Sequence, residues 1–226
     1  MIDLAKTDTT IHLGDIALHQ PVTAITDFIV TALCFYFYNL LKRNDKIEKS
    51  VYYWSWFYLT LGISTFFGGC SHAFFTNHTD SGYQFFWLTM QLFNGFAVYA
   101  AQHATLTSAL QHSKNKNLWN YISVIQLILF VPSVFIFRNF IVVTIDIALG
   151  LIPVMVTHFK DEQLNASSKW IAYGILVSFL TAVVHLSKFS LDVYFNYLDI
   201  AHVLIMINLS IMFVGIKQKT ISATSL

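Results

Sequence analysis

The chain has 226 residues, of which 56% are hydrophobic and only 11% are charged, and its mean hydropathy is +0.59. Soluble domains carry about 25% charged residues, so this composition excludes an ordinary soluble protein and predicts an integral membrane protein. The formal net charge is +1, which argues against a nucleic-acid partner because such proteins carry a basic excess. Membrane lipid is the partner that the composition indicates, and the sequence names no protein partner.

Seven apolar segments follow one another along the chain, each long enough to cross a hydrocarbon core, which takes roughly 20 helical residues. They are 21–42, 51–75, 84–110, 117–137, 139–159, 169–189 and 196–216. The sequence therefore predicts an all-α polytopic membrane protein with a seven-transmembrane-helix bundle. The domain boundaries that follow are a short extracytoplasmic N-terminal segment, the bundle and a short cytoplasmic tail: 1–20, 21–217 and 218–226.

The basic residues predict the orientation of this bundle. In a seven-span arrangement, ten of the 13 Lys and Arg residues fall on the side where the chain ends and three on the side where it begins. Cytoplasmic segments of membrane proteins carry the excess of Lys and Arg. We therefore expect the N-terminus outside and the C-terminus in the cytoplasm, in a plasma membrane or an inner membrane.

Five ionisable side chains fall in the outer half of the predicted bundle, on four different segments. Charged groups inside a membrane usually pair with one another or line a functional site, because lipid cannot solvate them. We therefore expect these five to meet at one level: Asp27, His72, His185, Asp199 and His202.

Two chemistries fit such a cluster. His72, His185 and His202 could hold Zn²⁺ and leave a fourth position for water, whose pKa the metal would lower to about 7. Asp199 or Asp27 would then orient a ligand imidazole or act as a general base. Without metal, the same groups would form a proton-accepting network or a hydrogen-bonded clamp between helices.

Two short stretches resemble a known group of membrane proteins. Gly68-Gly-Cys-Ser-His72 is similar to the end of the second helix, and Asp199-Ile-Ala-His202-Val-Leu-Ile to the seventh helix, of the superfamily that includes alkaline ceramidases, progestin and adiponectin receptors and Per1 proteins. The resemblance implies a three-histidine zinc site with a nearby serine and aspartate that cleaves amide or ester bonds in lipids.

His72 and His202 match that pattern directly. Gly68 stands where the family has its serine, so that Ser64, one turn further back, is the candidate serine. Leu198 stands where the family has a further histidine, and His185 takes the place of the third ligand by its depth in the membrane.

Two functions follow from the sequence. One is a zinc-dependent membrane hydrolase of a lipid or lipid-like amide or ester, with an outer-leaflet site. The other is a non-enzymatic sensor or transporter component that uses the same histidines and aspartates to bind a ligand or a proton. The sequence leaves open whether Asp146, His103 or His158 belongs to the site.

Overall fold

The computed structural model describes residues 9–43, 48–161 and 165–224. Within these ranges the chain forms a two-stranded hairpin followed by seven helices, so the protein is all-α apart from the hairpin. The elements are β1 (Thr10–Leu13), β2 (Ile16–His19), α1 (Pro21–Lys42), α2 (Lys49–Phe74), α3 (Ser81–Leu106), α4 (Lys116–Phe137), α5 (Ile141–Asp161), α6 (Ala166–Ser187) and α7 (Tyr197–Thr224).

Each helix corresponds to one of the seven predicted segments, with ends that shift by a few residues. α7 runs to Thr224, so the predicted tail from 218 continues the helix over most of its length, and 225–226 lie outside the described residues. The predicted N-terminal segment is described from residue 9. The hairpin in it was not predicted.

Local chemistry explains where several helices begin and end. Pro21 opens α1 at the position where a missing N–H costs no helical hydrogen bond. Arg138 adopts a left-handed φ of 46° immediately after α4, and Asn139 Oδ1 accepts the Ile141 N–H at 3.0 Å to start α5. The chain therefore turns tightly between α4 and α5.

Contacts between neighbouring helices show that consecutive helices run in opposite directions. Gly62 of α2 meets Phe35 of α1, whereas Gly69, two turns later, meets Phe28. The first and last helices close the bundle and run parallel to each other, as the pairs Thr26–His202 and Phe37–Phe213 show. The start of α1, the end of α2 and the start of α7 therefore share one end of the bundle, which we call the hairpin end.

The core extends across the bundle, and its part between α1, α2 and α7 is rich in aromatic side chains. Phe37 and Phe213 stack with ring centroids 4.1 Å apart, and Tyr58 packs edge-on against Phe37 at 5.3 Å. The Tyr58 hydroxyl donates to the Leu209 carbonyl oxygen at 2.9 Å. A phenol buried this completely needs a hydrogen-bond partner, and the contact ties α2 to α7 at mid-depth.

Five of the described helices are long and apolar enough to cross a membrane: α1, α4, α5, α6 and the part of α7 up to Lys219. Large apolar side chains on their outer faces stand exposed, among them Ile128, Ile136 and Leu149. In water such surfaces would drive aggregation, whereas in lipid they are the expected outer coat. The architecture agrees with an integral membrane protein.

Candidate functional site

The strongest polar contact between α1 and α7 joins three side chains at the hairpin end. His202 Nε2 lies 3.3 Å from Asp27 Oδ1, and His202 Nδ1 lies 2.8 Å from Thr26 Oγ1. Thr26 and Asp27 are buried, and only 13% of the His202 side chain is exposed. Both nitrogens of one imidazole are thus committed to adjacent residues of α1.

The hydrogen-bond partners of these three side chains indicate where their protons lie. Thr26 Oγ1 also lies 2.9 Å from the Thr23 carbonyl oxygen, which can only accept. When the hydroxyl donates its single proton there, it accepts from His202, and Nδ1 carries a proton. Nε2 and Asp27 Oδ1 then face each other at 3.3 Å. Two lone pairs at that distance repel, so the contact is favourable only with one proton between them, on the imidazole or on the carboxyl group.

One of two adjacent glycines of α2 lets the Asp27 segment approach closely. A Cβ on Gly69 would lie 2.8 Å from Phe28 Cε1 and 3.1 Å from Asp27 Cβ, closer than ordinary packing permits. A Cβ on Gly68 would lie 3.4 Å from both Asp27 Oδ2 and Met90 Sδ, which is an ordinary contact. The absent side chain at Gly69 therefore sets the spacing between α1 and α2 beside the carboxyl group.

Asp199 caps the start of α7 and is fully buried. Its Oδ2 accepts the Asn196 N–H at 2.8 Å, and Asn196 Oδ1 accepts the Leu198 N–H at 2.8 Å. This reciprocal pair is a capping box, which satisfies two backbone donors that a helix start leaves free. Asp199 Oδ1 has no partner within hydrogen-bond geometry among the described residues. The Thr23 side chain faces the same carboxyl group, which also lies close enough to Asp27 for their charges to interact.

The other two predicted ligands also lie at the hairpin end, each with its own partners. His72 Nδ1 is 2.7 Å from Gln20 Oε1; because that oxygen can only accept, Nδ1 donates. The His185 ring lies between Phe140 and Tyr197, with centroid distances of 5.9 and 5.2 Å. Both imidazoles are near enough to His202 to act on it electrostatically.

The three histidines of the expected zinc site each have other neighbours among the described residues. Among the residues that the structure describes, no three His, Cys, Asp or Glu side chains converge as metal ligands. The ring nitrogens of His202 face Thr26 and Asp27, and His72 holds Gln20. The zinc site formed by His72, His185 and His202 therefore stays a prediction from the sequence.

Ser64, the predicted catalytic serine, joins α2 to α3. Its hydroxyl donates to the Met90 carbonyl oxygen at 2.8 Å and accepts from Asn94 Nδ2 at 2.8 Å. It is fully buried and lies one turn deeper than Gly68. The structure gives it an interhelical hydrogen bond in place of a basic partner.

Asp146 belongs to a separate network between α3, α4 and α5. Gln126 Nε2 donates to Asp146 Oδ1 at 2.7 Å and to the Asp146 carbonyl oxygen at 2.9 Å. Gln102 Nε2 donates to Gln126 Oε1 at 2.9 Å. Buried amides and carboxyl groups joined in this way hold membrane helices together.

His158 and His103 lie at the opposite end of the bundle. His158 is fully buried, with Thr105 Oγ1 3.2 Å from Nε2 and Ser168 Oγ 3.0 Å from Nδ1. His103 packs against Tyr99, with ring centroids 4.1 Å apart. Neither histidine joins the Asp27–His202 site.

Sequence reasoning missed two partners of the site. Thr26 is adjacent to Asp27, and Gln20 precedes the helix-opening Pro21; neither stands out as a polar residue in an apolar run. The capping box could have been predicted from the sequence, because Asn196 and Asp199 have the spacing of such a box directly before an apolar helix.

A family of unknown function, DUF6962, matches residues 22–221, which include all seven described helices except the first residue of α1 and the last turn of α7. No curated protein and no solved structure matches the chain. Because the match extends over most of the sequence, the chain belongs to the DUF6962 family.

Proposed function

We propose that the protein crosses the membrane seven times, with the hairpin end outside and the end of α7 in the cytoplasm, in a plasma or inner membrane. α2 and α3 are the two described helices that are not apolar enough, by composition, to be identified as membrane spans. Their polar side chains are largely covered: Ser64 bonds within the α2–α3 contact, and Thr65 pairs with Thr31 of α1 at 2.9 Å. Such internal pairing lets less apolar helices lie in a membrane.

Within that arrangement, the protein is a proton-responsive membrane sensor or transporter component. The observation that carries this proposal is the Thr26–His202–Asp27 chain, in which one proton is shared between Nε2 and Oδ1. Removing that proton would leave two lone pairs in contact, and adding a second would place charge in a buried site. Either change alters the attraction between α1 and α7.

Asp199 strengthens this assignment. Two carboxyl groups and one imidazole lie at one buried level, with the Asp27 and Asp199 charges interacting. Two adjacent buried carboxylates cannot both stay ionised without compensation. A proton, or a small cationic group beside the unpaired Asp199 Oδ1, supplies that compensation.

Infrared difference spectroscopy of the purified protein between acidic and alkaline buffer tests this function. We expect a carboxyl or imidazole signal in the native protein that disappears in Asp27→Asn and in His202→Gln. Asp146→Asn is the matched control, because Asp146 is also buried but lies in the separate network with Gln126. Spectra of Asp27→Asn and His202→Gln that match the native protein would exclude the shared proton.

The second candidate is the zinc-dependent hydrolase of a lipid amide or ester. The observation that favours it is the position of all three histidines at the hairpin end, where His72 and His185 both act electrostatically on His202. Zn²⁺ would be held by His72, His185 and His202, and it would supply an activated water.

Metal analysis separates the two candidates. For a zinc hydrolase, we expect near-stoichiometric zinc in the purified protein that is lost in His202→Ala and in His185→Ala, together with cleavage of a short-chain lipid amide. For the proton site, we expect no zinc and no cleavage, and His185→Ala should leave the infrared signal of the Asp27–His202 pair in place. Zinc bound through all three histidines would overturn the proton proposal.

A further inference from the structure

The hairpin before α1 has one face made entirely of aliphatic side chains. Its register pairs Ile11 with Leu18 and Leu13 with Ile16, and residues directly opposite each other in antiparallel strands point to the same side. Gly14 provides the turn with a φ of 63°, which hairpins with two-residue turns demand. Leu13 and Ile16 are each 59% exposed.

The other face of the hairpin is polar. It carries Thr10, His12, Ala17 and His19, and Thr10 Oγ1 lies 2.9 Å from His19 Nδ1. The described part of the hairpin has no Lys or Arg, and its one acid is Asp15 in the turn. The hairpin is therefore amphipathic, with one aliphatic face and one polar face.

Three contacts fix this hairpin to the end of the bundle. The chain passes directly from Gln20 into α1, Gln20 Oε1 accepts from His72 at the end of α2, and β2 packs against α2. On the adjacent helices, Ile25 in the second turn of α1 and Phe74 at the end of α2 are also exposed, by 57% and 53%. Large apolar side chains are therefore exposed both on the hairpin and on the helix ends beside it.

We propose that this hairpin is an in-plane lipid anchor, whose aliphatic face rests in the headgroup–acyl boundary of the bilayer. The hydrogen-bonding groups of the hairpin backbone limit how deep the strands can lie in the bilayer. A two-stranded hairpin leaves N–H and C=O groups free on both outer edges, and these need water or headgroups, so the strands cannot lie in the hydrocarbon core. Only the side chains reach the acyl chains, which is how amphipathic segments bind at an interface.

The composition of the hairpin also indicates which kind of lipid surface it binds. The described part of the hairpin has no Lys or Arg, the residues that anionic headgroups attract, so we expect its attachment to depend on apolar contact and to be the same in neutral and anionic bilayers. The inference is independent of the proposed proton site, because it needs only that the helices lie in a membrane.

Single-cysteine fluorescence on the full chain in nanodiscs tests the anchor. The native Cys34 and Cys70 are free and buried, and a Cys34→Ala, Cys70→Ala background removes them. A polarity-sensitive dye is then attached to Leu13→Cys or, as the matched control on the opposite face one residue away, to His12→Cys. Two quenchers are compared: aqueous iodide and a lipid with a nitroxide near the carbonyl end of its acyl chain.

We expect the dye at position 13 to emit further to the blue than at position 12, with several-fold stronger quenching by the lipid nitroxide and several-fold weaker quenching by iodide. This pattern should be equal in zwitterionic and anionic nanodiscs. Ile16→Cys and Ala17→Cys, the corresponding pair on β2, should show the same pattern. This second pair tests the anchor even when the first variants do not fold.

Two results would overturn the anchor. Equal quenching of both faces by iodide would place the hairpin in water. Protection of position 13 from both quenchers would mean that a protein surface, such as a second copy of the chain, covers the aliphatic face.

Discussion

Asp199 places one carboxyl oxygen in the cap of α7 and leaves the other buried without a hydrogen-bond partner among the described residues. Substitution can separate these two features. Asp199→Asn keeps an acceptor for the Asn196 N–H and removes the charge, whereas Asp199→Ala removes both. We expect Asp199→Ala to lower the free energy of unfolding by about 1 kcal/mol, the usual effect of losing a cap, and Asp199→Asn to stay near the native value, as measured by detergent-induced unfolding.

Asn196→Ala provides the control, since it removes the other half of the same capping box. Its effect on stability should resemble that of Asp199→Ala. If Asp199→Asn destabilises the protein as much as Asp199→Ala, the charge of Asp199 and not its capping bond is what the fold needs.

The sequence located the polar residues of the site more easily than their partners. Asp27 and His202 could be assigned to one depth by counting helical residues from segment ends. Their pairing depends on how far each helix is rotated about its axis, which periodic hydropathy leaves open in helices that are apolar all round. For the same reason Thr26 was missed, although it holds one nitrogen of His202.

Among the helices, the pairing of α1 with α2 depends on Gly69. Its added Cβ would meet the Phe28 ring at 2.8 Å and Asp27 Cβ at 3.1 Å. Gly69→Ala should therefore lower stability by about 1–3 kcal/mol, the usual effect of overpacking, and it should weaken the infrared signal of the Asp27–His202 pair by moving α1. Unfolding measurements and the infrared spectrum of the variant check both effects.

The neighbouring Gly68→Ala is the matched control. Its Cβ would have room at 3.4 Å from Met90 Sδ and Asp27 Oδ2, and alanine favours the helix by about 1 kcal/mol over glycine. We expect a stability equal to or above that of the native protein. Equal losses in the two variants would contradict the close approach at Gly69.

Helices were easier to predict than the hairpin. Each of the seven predicted segments locates one described helix, because long and largely apolar runs are visible from composition alone. The hairpin comprises only ten residues. Its sequence signal is the alternation of apolar and polar residues on either side of Gly14. Since His12, Asp15 and His19 interrupt its apolar residues, a search for long apolar segments passes over it.

For the whole molecule, the closure of the bundle is what creates the site. The contact between α1 and α7 joins residues 176 positions apart, and no local pattern in the sequence specifies which helices meet. Charge asymmetry along the chain predicts a direction for the bundle but not the order of helices around it. The site therefore depends on the fold more than on any motif.

The crossing of α2 and α3 decides whether the chain spans the membrane seven times. Lys49 is the first residue of α2, Thr76 lies between α2 and α3, and His112 follows α3; all three are exposed. In the background without native cysteines, each is replaced by cysteine and labelled with a membrane-impermeant maleimide on intact cells. We expect Thr76→Cys to react, and Lys49→Cys and His112→Cys to react only after permeabilisation.

The reason lies in the polar content of these two helices. Because α2 and α3 bury their polar side chains against each other, as in the Ser64–Asn94 hydrogen bond, they can cross the membrane with less apolar surface than a helix that faces lipid on every side. Equal labelling of Thr76→Cys and His112→Cys on intact cells would mean that α3 does not cross. A reversed pattern would keep seven spans and place the hairpin, with the Asp27–His202 site below it, on the cytoplasmic side.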